Sequence, residues 1–100
     1  MKAHPTAMDS SNSEQQFERS LHGFIVTEIE LGTTFAHVAL DSWLPEKRER
    51  NLRNAQKAYD TAVGFLNRHR LTNPAVRKEE AIGLAGLKQL LFRLRGTFPG

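Results

Sequence analysis

Glu18 with His22, and His37 with Asp41, stand four residues apart, the spacing that puts two side chains on one face of a helix. Histidine beside a carboxylate is the raw material of general acid–base catalysis and of metal ligation. A dinuclear carboxylate site in a helical bundle needs Glu-x-x-His on two helices and two further glutamates. Neither pair has that spacing, both fall on one predicted helix, and they are turned about 100° apart around it. The rest of the chain offers only Asp60, His69, Glu79 and Glu80 as partners, so both pairs read as surface ion pairs and no metal ligand is assigned. Glu28 and Glu30 point their carboxylates apart on a helix and form no acid–base pair. No glycine-rich elbow surrounds a serine. Gly83-x-x-Gly86 lacks the lysine and the glycine count of a phosphate loop and reads as a helix-packing feature. The expectation is a non-enzymatic protein with no catalytic residue, no cofactor and no evident small-molecule substrate.

Charge is the feature that could recruit a partner. Residues 1–46 carry two basic and seven acidic side chains, a net −5, and residues 47–100 carry twelve basic and four acidic, a net +8, making the +3 of the whole chain. Lys47, Arg48, Arg50, Arg53 and Lys57 crowd the start of one predicted helix, with Arg50, Arg53 and Lys57 along one stripe. Such arrays bind phosphate backbones by releasing counterions. The aromatic residues that would stack bases fall at core positions, however, and no nucleic-acid motif is present. Basic residues at a helix start also oppose its dipole, which asks for nearby acids such as Asp41, Glu46 and Glu49. An acidic helix lying against basic ones, within one molecule or across a dimer, accounts for the same split.

These side chains must be positioned by a small scaffold. One hundred residues, 39% apolar and 25% charged, make a single domain. Cysteine is absent, which excludes disulfides, zinc ribbons and thiol nucleophiles. No apolar run reaches the ~20 residues of a membrane helix, and MKAHPTAMDS lacks the apolar stretch of a signal peptide. A cytoplasmic location is expected.

Residues 1–12 read as a flexible tail. Ser11 with Glu14 and Ser13 with Gln16 fit the capping box, so helix 1 is predicted over about 13–42. Phe17, Leu21, Phe24, Ile25, Ile29, Leu31, Phe35, Ala36, Val38, Ala39, Leu40 and Trp43 recur mainly at spacings of three and four. Gly32-Thr33-Thr34 is its weak point, where a bend or break is favoured. Pro45 opens helix 2 (about 45–69), whose seam is Leu52, Ala55, Tyr59, Ala62 and Leu66. Asn73 caps and Pro74 opens helix 3 (about 74–95), with Val76, Ile82, Leu84, Leu87, Leu90, Leu91 and Leu94 toward the core. Gly83 and Gly86 fall on or near its buried side, and Phe98 is a candidate last anchor. Short connections make neighbours antiparallel. The fold class is therefore all-α, an up-down-up antiparallel three-helix bundle. Helix 1, at about 45 Å, outruns helix 2 at about 36 Å. Either helix 1 breaks at Gly32, or its excess packs on a second copy, as small cores favour.

Residues 54–66, NAQKAYDTAVGFL, resemble the second helix of a tetratricopeptide-type hairpin, with Ala55, Ala58, Tyr59, Ala62 and Phe65 at the small–aromatic–small spacing and Pro74 beyond. Tyr59-x-x-Ala62-Val63 and Leu90-Leu91-Phe92-Arg93-Leu94 also resemble parts of the microtubule-interacting and transport domain, a three-helix bundle that binds peptide helices. These resemblances cover under half the chain and imply a helical hairpin with a groove. The expected function is a protein–protein interaction or assembly module, a homodimer or a binder of another protein. Phe24, Phe35 and Trp43 are its candidate anchors, and Arg50, Arg53 and Lys57 select an acidic partner. The alternative is a nucleic-acid-binding accessory protein using the same basic stripe.

Overall fold

Each of the two prolines predicted to open a helix does so. α2 spans Pro45–Arg68 and α3 spans Pro74–Gly96, preceded by α1 over Thr6–Asp41. The computed structural model describes the backbone of residues 6–68 and 74–96, and the side chains of Ser13, 15–68 and 74–96. No strand occurs among the described residues. Proline suits a first helical position because its missing amide would have had no intrahelical acceptor. The turn into α2 is closed by Ser42 and Arg48. The Ser42 amide donates to the Ala39 carbonyl at 3.2 Å, and the Leu44 amide donates to the Ser42 hydroxyl at 3.3 Å. Arg48 Nε donates to the Ser42 carbonyl at 3.1 Å, satisfying an acceptor left over at the end of α1.

One expectation about α1 is corrected and one open alternative is decided. It starts at Thr6, so residues 6–12, read as tail, are helical. It also runs through Gly32 without a break. Thr33 fits there because its hydroxyl donates to the Ile29 carbonyl one turn back, at 2.8 Å. Gly32 itself serves close packing: a Cβ there would lie 2.7 Å from Leu87 Cδ2 and 3.1 Å from Ala58 Cβ. Asn73, Phe98 and residues 1–5 lie outside the described residues.

The helices run up, down and up, and α1 is the element common to both contacts. It packs most extensively on α2, less on α3, while α2 and α3 touch least. The middle of the α1–α2 seam is built from small side chains, with Gly32, Ala36 and Ala39 facing the buried Ala55 and Ala58, which lets the two backbones approach closely. Larger side chains from α3 fill the remainder. One core cluster joins Ala36, Ala39 and Ala55 to Leu87, Leu91 and Leu94. The other joins Leu21, Ile25, Ile29 and Ala62, with Val76 and Leu84 packed against it. The result is a rod of 67 × 22 × 18 Å.

In α3 the glycines part company. A Cβ on Gly83 would touch Ile29 methyls at 3.3 and 3.4 Å, whereas one on Gly86 would meet nothing within 4 Å. Gly86 is exposed, not part of a helix contact. Ile82, expected in the core, is also exposed, because α3 buries only the narrow face carrying Glu80, Leu87, Leu91 and Leu94.

Candidate interaction surface

His22 does not sit in a carboxylate-rich cleft. Its ring lies between α1 and α3, with Nδ1 hydrogen-bonded to Glu80 Oε2 at 2.7 Å and Nε2 3.9 Å from Glu79 Oε1. The Glu80 side chain is fully buried, and its Oε1 has no hydrogen-bond partner among the described residues. The two carboxylates thus address opposite nitrogens of one ring and do not converge on a common point. Among the described residues no group of three or more His, Cys, Asp or Glu is arranged to hold a metal. This pair is a polar tie between two helices. Sequence reasoning named Glu80 only as a possible partner; its neighbour Glu79 is exposed, and nothing in the local pattern distinguishes the two.

The larger feature is apolar and lies on α1. Phe17, Phe24, Leu31 and Val38 are 54%, 40%, 45% and 36% exposed and recur every seven residues. An ideal helix drifts about 20° per heptad, so Leu31 and Val38 stay within about 40° of Phe24 and form one ridge. Phe24 fixes where that ridge runs. Its ring meets Phe65 of α2, with centroids 4.6 Å apart and planes tilted by 53°, and the Arg68 guanidinium lies 4.9 Å over the Phe65 ring. The ridge therefore follows the edge of α1 that borders α2. Ser20, Thr27, Thr34 and Asp41, all exposed, occupy the intervening positions on its outer side.

The predicted anchors separate accordingly. Phe24 is on the ridge and half-covered by Phe65. Phe35 is half-buried and packs against the core around Ala36 and Leu91, so it acts as a structural residue. Trp43 is 82% exposed and lies in the connection after α1. Leu31 and Val38 were read only as apolar positions of helix 1, and their seven-residue recurrence with Phe17 and Phe24 is the signal that sets them apart. Phe92 of α3 is a further exposed aromatic residue.

Arg50, Arg53 and Lys57 are all exposed on α2. Arg53 NH1 donates to Glu49 at 3.1 Å, one turn back. Counting helical rotation from Phe65, Arg50 and Lys57 fall within about 80° of the edge that borders the α1 ridge. The stripe and the ridge are thus adjacent: an apolar strip flanked on one side by cations. No helix among the described residues is long and apolar enough to cross a membrane. No family model, curated protein or solved structure matches the chain.

Proposed function

We propose that this chain is a non-enzymatic protein–protein interaction module that assembles through helix packing, as a homodimer in the cytoplasm. The observation that carries the reading is the α1 ridge of Phe17, Phe24, Leu31 and Val38, a seven-residue repeat of partly exposed apolar side chains. Isolated exposed apolar residues are ordinary, but a contiguous strip with helical register is the form that helix-on-helix recognition takes. The hairpin resemblance of residues 54–66 supports the same class. Size-exclusion chromatography with light scattering, at low and high salt and with absorbance at 260 and 280 nm, tests it. A dimer that persists in high salt and carries no nucleic acid is expected. A monomer would refute it.

The second reading, nucleic-acid binding, is favoured by the exposure of Arg50, Arg53 and Lys57 on one face of α2. It is weakened by the engagement of Arg53 with Glu49 and by the absence of aromatic residues from that stripe. It predicts material absorbing at 260 nm that leaves at high salt, and loss of that material in the R50E/R53E/K57E variant.

A further inference from the structure

The ridge has two unlike flanks. On the α2 side stand Arg50 and Lys57, while on the far side of α1 stands Glu30, all three exposed. Their heights along the rod can be read from the interhelical contacts. Gly32 lies against Ala55 and Ala58, and Phe24 against Phe65, with the two helices antiparallel. Lys57 is therefore level with residues 31–32 of α1, and Arg50, two turns earlier in α2, is level with residues 38–39. Glu30 lies at nearly the height of Lys57 on the opposite flank.

We infer that the partner of this surface is a second copy of the chain, packed parallel to the first about a two-fold axis running along α1. Ridge meets ridge, with Thr27 and Thr34 facing their own copies. Glu30 of each protomer meets Lys57 of its partner. This rests on the assembly reading above and adds orientation and pairing to it.

Orientation follows from the flanks. In a parallel helix pair, residues on one flank of the seam face the opposite flank of the partner. Here that sets acid against base twice over, once for each protomer. In an antiparallel pair each flank faces its own counterpart, so the Arg50–Lys57 edge would meet the same edge of the other copy. Like charges across an interface are a strong bar to that arrangement. The polar threonines beside the ridge weaken such a seam relative to a fully apolar one, so the charges matter for choosing its direction.

Absence of cysteine provides a clean test. In a parallel pair, Thr34 lies across the axis from Thr34 of the other protomer. In an antiparallel pair overlapping along the ridge, it lies about 20 Å away along the helix. The full-length T34C variant should form a covalent dimer under mild oxidation, at protein concentrations where wild type is dimeric by sedimentation velocity. K57E and E30K, each confirmed as helical by circular dichroism, should each raise the dimer Kd about tenfold at low salt, because the axis counts every pair twice. E30K/K57E should return it to within about threefold of wild type. A wild-type dimer in which T34C fails to cross-link, or in which the double variant is no better than the singles, overturns the parallel geometry and leaves the assembly reading standing. Wild type that stays monomeric at every concentration overturns both.

Discussion

Gly32→Ala and Gly86→Ala make the same chemical change inside two helices, and they should move stability in opposite directions. In an open helix interior alanine is favoured over glycine by about 1 kcal/mol, because glycine has more backbone freedom to lose. A Cβ on Gly86 meets nothing within 4 Å, so that gain should be realised there. On Gly32 the Cβ would lie 2.7 Å from Leu87 Cδ2, 3.1 Å from Ala58 Cβ and 3.4 Å from the Ala55 carbonyl oxygen. Leu87 is fully buried and has no open space to swing into, and the Ala58 methyl has no rotamer to change. Relief requires Leu87 of α3 to shift and α2 to give way at Ala58. Overpacking of this kind costs about 1–3 kcal/mol, and the upper end applies because the 2.7 Å contact falls on a fully buried side chain. Set against the helical gain of about 1 kcal/mol, Gly32→Ala should lose about 2 kcal/mol. The two variants then differ by about 3 kcal/mol, or at least about 12 °C in Tm for a domain of this size. Gly83→Ala, with Ile29 methyls at 3.3 and 3.4 Å, should fall between them, near wild type. Urea denaturation followed by circular dichroism, at one fixed protein concentration because assembly would add to stability, measures all three. Gly32→Ala at or above wild-type stability would refute the close approach of α1 to α2.

Further outcomes follow from the polar contacts. His22→Ala removes the hydrogen bond to Glu80 Oε2 and leaves a fully buried carboxylate whose Oε1 already has no partner among the described residues. The expected loss at neutral pH is about 3 kcal/mol. The H22L/E80L double variant, with both polar groups gone, should recover most of it, and a single-variant loss under about 1 kcal/mol in the same urea assay would contradict the burial of Glu80. Arg53→Ala breaks an ion pair whose side chains are both mostly exposed. Its midpoint should stay within about 0.5 kcal/mol of wild type, and a larger fall would mean that Arg53 has a second role in the fold.

Helix type and order were legible because proline and the three-four spacing act locally. Pro45 and Pro74 open α2 and α3 as their chemistry requires. The continuity of α1 was not legible. The run Gly32-Thr33-Thr34 is weak by intrinsic propensity, and only the contacts of Gly32 with Leu87 and Ala58 show why a glycine belongs in an unbroken helix. Periodicity also failed where a helix buries a narrow face. Ile82, Leu31 and Val38 satisfy the spacing rule, yet the sequence carries no statement of how many neighbours α1 and α3 have. The basic stripe was legible as a charge run, whereas its position beside the ridge depends on the Phe24–Phe65 contact between helices. Glu80 was hidden for the opposite reason: a glutamate at the end of the polar run Arg77-Lys78-Glu79-Glu80 reads as solvent-facing until His22 is brought to it from α1.

The two core clusters follow one another along a rod three times longer than it is wide, with Gly32 near their junction. A globule of similar chain length hides its best-packed residues at a centre that every opening motion must reach. Here each end has its own small interior, and the layers outside it are only one helix thick. All three helices enter both clusters, but α1 packs on each of the others more than they pack on one another, so strain at the His22–Glu80 end reaches the Ala39–Leu94 end chiefly along α1. Such a molecule behaves less like a vault than like a splinted beam, in which the long member carries load between two short braces. Anything that grips α1 along its ridge acts on both braces at once.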